Sequence, residues 1–501
     1  MTGPVSQLRT LVRPVALFAG PLVFFVFYFA GLDPERPEVG AMAGIAVWMA
    51  IWWITEAVPL AATALLPLVL FPLTGVATTK LIAPTYTNSI IFLFIGGILI
   101  ALAMERARLH RRIALFLISL FGSRPAGLLA GFMTASAFLS MWISNTATAV
   151  MMLPIGLAIA HKLEEELGPE RVHGIRLALL LGIAYSCSVG GMTTPIGTPP
   201  NMAFLRIYEI QFPEAARISF GQWLIFTAPL TLTIQLVIWL FLWGTLMKFS
   251  RGQAFDAGVI QRERAELGQP QRDEVLVFVV FVSAALLWTF RRGLVIEELG
   301  FHLPGWSSLL PYGKNIDDGT VAMACALLLF ALPGREEDGR PRRLLDPSAF
   351  REIPWAIILL FGGGFALAKG FATSGLSEFL SGIFSDMGAL PPWLMVLLIC
   401  LAVTFLTELT SNTALTQVVL PVFAALAIAS DLPPLLVMIP ATLSASCAFM
   451  MPVATPPNAI VFGSEKIKIH EMARTGLGLN LIAAVIIAVF VLIFGGPMFG
   501  F

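Results

Sequence analysis

The chain has 501 residues, 57% of them hydrophobic and only 12% charged, a balance that excludes an ordinary water-soluble domain. Its 31 basic and 31 acidic side chains cancel, so net charge gives no reason to expect nucleic acid as a partner. The composition describes a single membrane domain solvated by the lipid bilayer.

Apolar stretches of spanning length, roughly 20 residues each for a helix, are predicted at 12–32, 40–57, 58–75, 88–104, 176–210, 222–247, 274–290, 319–333, 353–370, 432–463 and 476–498. The first follows Arg9 and Arg13, but many spans come after it, so it reads as a retained helix rather than a leader. Residues 106–122 begin basic and turn apolar, which suits a helix lying along the interface; 371–384 is its less charged counterpart. Two further blocks, 124–160 and 391–430, are apolar but carry polar residues in their middles, the pattern of a re-entrant hairpin that enters and leaves on one side. The predicted fold is therefore an all-α polytopic membrane protein of about eleven spans plus two hairpins. The clusters Arg9/Arg13, Arg106–Arg112, His161–Arg176, Lys248–Arg272, Arg335–Arg351 and Lys466–Arg474 fall on one side, which the positive-inside rule makes cytoplasmic. The N-terminus is then inside and the C-terminus outside. Cys187, Cys325, Cys400 and Cys447 are scattered through apolar sequence without ligand spacing and read as small core residues.

A charged linker, 249–273, separates two halves, 1–248 and 274–501. A shift of 267 positions superposes Gly96/Gly97 on Gly363/Gly364, Ser144-Asn145-Thr146-Ala147 on Ser411-Asn412-Thr413-Ala414, and Leu153/Pro154 on Leu420/Pro421. A second pair, T-P-I-G-T-P-P-N from Thr194 and M-P-V-A-T-P-P-N from Met451, lies 257 apart. Each half holds an odd number of crossings plus a hairpin, so the halves insert with opposite topology, and their polar tips can meet near the midplane.

An unpaired amide in lipid costs several kcal/mol, so each Ser-Asn-Thr triplet demands buried partners or a ligand. At a hairpin turn the arriving arm offers carbonyls to cations and the departing arm offers N–H groups to anions. Ser140 and Thr407, four residues before each triplet's serine, share its helical face, whereas Ser136 and Thr404 are expected to bond back to the i−4 carbonyl. Pro199/Pro200 and Pro456/Pro457 interrupt helices directly after Thr198 and Thr455. No Lys or Arg is placed at tip depth, so a bound dianion must be neutralised by co-bound cations. Two equivalent cages predict two or more Na+ ions. Lys369 lies near a helix end and is expected to snorkel.

These motifs, together with W-W-I-T-E-A-V-P-L at Trp52–Leu60 and G-I-A-Y-S at Gly182–Ser186, resemble the divalent anion/sodium symporter family, the solute carrier 13 group that includes bacterial dicarboxylate transporters. The resemblance covers nearly the whole chain. It implies one Na+ among Ser140, Ser144, Asn145 and Gly197, and a second among Thr407, Ser411, Asn412 and Ala454. Substrate carboxylates would meet Asn145, Thr146 and Thr198 from one half and Asn412, Thr413, Thr455 and Pro456 from the other. It further implies Na+-coupled transport of a C4-dicarboxylate such as succinate, malate or fumarate, with sulfate, citrate or exchange as alternatives. A homodimer in a bacterial inner membrane is implied too, with a transport domain moving elevator-fashion against a scaffold built from helices before Pro84 and after Arg272. Pro195 departs from the apolar residue of many relatives.

Other classes fit worse. The five histidines fall mostly in loops or at span ends and form no nucleophile–base pair, which argues against an intramembrane hydrolase, and no phosphate-binding loop supports an ATP-driven pump.

Overall fold

Long apolar helices dominate the structure, a computed structural model that describes residues 4–122, 124–247, 258–296, 301–335, 341–385 and 390–500. Among the described residues, nine helical segments are long and apolar enough to cross a bilayer, from Arg13–Ala30 to Ile469–Phe499. The expected spans 176–210 and 432–463 are each two helices with a break between them: Pro169–Gly191 with Pro199–Gln211, and Pro434–Ser444 with Pro456–Gly463. The expected span 58–75 is also divided, into Leu60–Thr63 and Leu66–Thr74. Of the expected linker, 249–257 lies outside the described residues, and the remainder holds the helix Gly258–Glu266.

Both hairpins are present. The first is Pro125–Ser140 followed by Asn145–Leu167, and the second is Pro392–Leu406 followed by Asn412–Ala429. Proline begins the first arm of each, where its fixed φ suits the first turn and its missing N–H is not needed. The first arms pack against the opening helices of the broken pairs, Pro125–Ser140 on Pro169–Gly191 and Pro392–Leu406 on Pro434–Ser444. The second arms cross over. Asn145–Leu167 lies on Pro456–Gly463, and Asn412–Ala429 lies on Pro199–Gln211. That exchange brings the two triplets into one region.

The segments assigned to one side by charge are joined by ion pairs. Arg106 meets Asp346 at 3.3 Å and Glu352 at 2.6 Å, and Arg111 meets Glu263 at 2.6 Å. Arg112, on the short helix Leu109–Ser119, takes both oxygens of Glu274. On other segments, buried Arg291 binds Asp318 at 2.5 Å and the Ile316 carbonyl at 2.8 Å. Two short antiparallel ribbons, Leu294–Ile296 with Phe301–Leu303 and Pro333–Arg335 with Pro341–Arg343, add the only strands among the described residues. Strands of three residues are too short to leave a periodic pattern in sequence.

Candidate functional site

Four helices begin at one place. Ser144 and Ser411 are the N-caps of the second hairpin arms, accepting from Ala147 N at 3.2 Å and Ala414 N at 3.5 Å. Thr198 and Thr455 are the N-caps of Pro199–Gln211 and Pro456–Gly463. The prolines therefore start new helices rather than interrupt old ones, and the unwound backbone lies just before them. Each helix start carries partial positive charge and donors without an acceptor inside the helix. At the two triplets those donors are the N–H groups of the asparagine and threonine. At the proline pairs the first two N–H groups are missing, so the threonine hydroxyl and the helix dipole remain.

All four caps line one cavity of about 800 Å³, together with Asn145, Thr146, Gly197, Asn412, Thr413, Ala454 and Pro456. The residues expected to meet substrate thus share a single space. Among the described residues no Lys or Arg lines it, and Lys369 is not among its walls. Glu56, Glu105 and Glu352 stand on the same cavity's walls. A dianion there finds helix N-termini and neutral donors but no side-chain cation.

Ser140 and Thr407 are fully buried and stand one layer behind the wall. Ser140 Oγ donates to Asn145 Oδ1, and Thr407 Oγ1 to Asn412 Oδ1 at 2.6 Å. Helix C-termini gather at the same points. A Cβ placed on Gly197 would lie 2.5 Å from the Gly191 carbonyl oxygen and 3.0 Å from that of Ser140. Oxygens from three chain segments therefore converge beside Asn145, a hard-cation environment at the negative ends of two helices. In the second hairpin the oxygens that meet are Thr407 Oγ1, Asn412 Oδ1 and the Ala445 carbonyl, three residues before Ala448, the position that matches Gly191. Ser136 and Thr404 depart from expectation: both hydroxyls are buried, and neither bonds to the carbonyl four residues back.

Several residues absent from the expected site hold it in shape. Asn201 Nδ2 reaches the carbonyls of Gly191, Met192 and Thr194 at 2.8–3.2 Å. Asn458 Nδ2 reaches those of Ala448 at 2.9 Å and Met451 at 3.1 Å. Ala448 and Met451 stand at the same 257-residue offset from Gly191 and Thr194 as the asparagines do from each other. The last letter of T-P-P-N is thus a staple across the unwound segment, and its repetition was the available signal. Gly191 is a second omission. A Cβ there would fall 2.6 Å from Asn145 Oδ1, so only glycine fits against the first triplet.

Paired hairpins, paired broken helices and a shared polar cavity inside an apolar bundle define a secondary transporter. Residues 8–501 match the family described as the sodium:sulfate symporter transmembrane region, and the chain belongs to that family, the divalent anion/sodium symporters. The sodium-dependent dicarboxylate transporter SdcS of Staphylococcus saprophyticus is 39% identical over 97% of this chain and 92% of its own length. The protein of the same name from Staphylococcus aureus is 40% identical over 94% and 89%. Two solved structures share the fold at low identity. The YdaH transporter of Alcanivorax borkumensis has a TM-score of 0.56 at 15% identity, covering 86% of this chain and 90% of that one. MtrF of Neisseria gonorrhoeae, described as an antimetabolite efflux pump, has a TM-score of 0.52 at 13% identity, covering 85% and 84%. The protein is an integral membrane transporter and not an enzyme.

Proposed function

We propose that this protein carries a C4-dicarboxylate of the succinate, malate and fumarate class across a bacterial plasma membrane together with Na+. One observation carries the reading: four helix N-termini, two from the hairpins and two from the broken helices, and an Asn-Thr pair from each hairpin face a single cavity that has no cationic side chain on its walls among the described residues. Two Asn-Thr pairs suit a molecule with a carboxylate at each end. Each carboxylate takes N–H groups from one triplet and a hydroxyl from Thr198 or Thr455, with Pro456 alongside. The two charges are balanced by Na+ held behind the triplets, one ion by Ser140, Ser144, Asn145 and Gly197 and another by Thr407, Ser411, Asn412 and Ala454. Curated relatives named as sodium-dependent dicarboxylate transporters support the same substrate and ion.

The remaining architecture follows from this reading. The halves 1–248 and 274–501 are inverted repeats, with the N-terminus in the cytoplasm and the C-terminus outside. The cavity reaches Glu105 and Glu352, beside the basic cluster around Arg106, so the conformation is open to the cytoplasm. The hairpins and broken helices move as a transport domain against a scaffold of the outer helices, in a homodimer.

The test is uptake of radiolabelled succinate into proteoliposomes with and without an inward Na+ gradient, competed by malate, citrate and sulfate. Saturable uptake that needs Na+ and is displaced by malate is expected, and Asn145→Ala or Asn412→Ala abolishes it while the protein stays folded. Near-normal uptake by both variants overturns the site. Na+-driven uptake of radiolabelled sulfate, with no succinate uptake, would move the substrate to the inorganic anion in the family's description.

A further inference from the structure

Glu408 is the acid that the transport reading leaves without a task. It follows Thr407 at the tip of the second hairpin, is only 3% exposed, and among the described residues pairs with no Lys, Arg or His. Both oxygens are nevertheless occupied. Oε1 accepts from Met450 N at 2.8 Å and from Asn480 Nδ2 at 2.7 Å, and Oε2 accepts from Met451 N at 2.8 Å. Asn480, fully buried on Ile469–Phe499, accepts from Phe449 N at 3.2 Å through its own Oδ1. Three consecutive backbone N–H groups of an unwound segment therefore end on one two-residue acceptor. Without it they would be buried donors with no partner, each costing free energy in a dry interior.

The first half has no such need at 192 and 193, whose N–H groups bond to the Val189 and Gly190 carbonyls, and it braces its broken helix with neutral groups. Position 141, which matches 408 under the 267-residue shift, is a methionine. There Thr194 Oγ1 donates to the Met141 carbonyl at 2.5 Å and accepts from Gly197 N at 3.0 Å. Trp223 and Thr227 hold the Met192 and Thr193 carbonyls at 3.1 and 2.8 Å. The two hairpins share the hydroxyl–asparagine pair and differ in their supports. Only the second is braced by an ionisable group.

We propose that Glu408, anchored by Asn480, is a positioning residue for the second Na+ site. It clamps 449–451 against the hairpin tip, which fixes Ala454 and Thr455 relative to Asn412. The inference rests on the site reading given under Proposed function and adds a residue that touches neither ion nor substrate.

Full-length Glu408→Gln, Asn480→Ala and the parent are reconstituted, and Na+ activation of succinate uptake is measured over a range of succinate concentrations. Substrate-free thermal unfolding in detergent is followed against Na+, with K+ as the control. Glutamine keeps the size but presents an N–H to one of the two backbone donors. The concentration of Na+ for half-maximal uptake is expected to rise about fivefold or more, with weaker Na+ stabilisation in detergent. KM for succinate at saturating Na+ stays near the parent's value, a split that general loss of fold does not produce. Parent-like Na+ activation, or a fall in maximal rate alone, overturns the clamp. Should Glu408→Gln fail to reach the membrane, Asn480→Ala decides. It frees Phe449 N and takes the Nδ2 donor from Glu408 Oε1; it is expected to shift Na+ activation in the same direction by about twofold, and no shift overturns the proposal. If Asn412→Ala still transports normally, the site itself is wrong; if it is inactive while both clamp variants behave as the parent, only the clamp is wrong.

Discussion

Thr407 Oγ1 lies 2.6 Å from Asn412 Oδ1 and 2.9 Å from the Ala445 carbonyl oxygen. A hydroxyl has one hydrogen, so three oxygens converge on a single proton and one contact is always left without it. A cation placed among them turns that repulsion into coordination, because all three oxygens then present lone pairs.

Thr407→Val keeps the shape and removes the oxygen. It is expected to raise the Na+ requirement of uptake about tenfold, while Thr407→Ser, which keeps the oxygen, stays within about twofold of the parent. Na+ titration of succinate uptake in proteoliposomes checks both. Equal behaviour of valine and serine would remove Thr407 from the cage.

Gly191→Ala tests the first cage from the opposite wall. Its methyl would stand 2.6 Å from Asn145 Oδ1, closer than carbon and oxygen allow, and 3.1 Å from the Gly197 carbonyl oxygen, a tight contact. The asparagine must move or the hairpin must separate from the broken helix. Uptake is expected to fall at least about tenfold, with a loss of stability of about 1–3 kcal/mol, read as a drop in unfolding temperature. Parent-like uptake would show that Asn145 tolerates displacement.

Stability carries a pH dependence outside the spans. His110, on the interfacial helix Leu109–Ser119, is partly buried, and its Nδ1 lies 3.1 Å from the Met104 carbonyl oxygen, so that nitrogen carries the hydrogen. Burial holds the imidazole below its ordinary value of 6.5; the Met104 contact opposes the shift and the charge of Arg111 assists it. The unfolded chain therefore binds the proton more readily than the folded one. The stabilisation is fully present above 6.5 and is lost as the pH falls toward the lower folded value. Unfolding temperature in detergent should decline on acidification from neutrality, and His110→Gln, whose amide can still donate to Met104, should flatten that decline.

The chemistry-bearing part of the fold was legible because it violates the rules of its surroundings. Ser144-Asn145-Thr146 and Ser411-Asn412-Thr413 are polar interruptions of apolar sequence, and their repetition, with Thr198 and Thr455 before paired prolines, marks both tips. Both triplets and both threonines line one cavity. Glu408 escaped because a lone acid barely alters the hydropathy of 391–430, and its partners, Met450, Met451 and Asn480, lie far along the chain. The prolines were legible as breaks but not as helix starts, since their place in the first turn depends on where the preceding segment stops. Ser136 and Thr404 show the opposite error: a local rule predicted back-bonding, and tertiary packing buried both hydroxyls without it.

The asparagines of the two proline loops have a further effect. Because Asn201 and Asn458 spend their amide hydrogens on the main chain of 191–194 and 448–451, these loops hold their turned, non-helical form before any cargo arrives. Ions and acid enter a mould already cast, so little chain entropy is surrendered on capture and more of the contact energy is left for affinity.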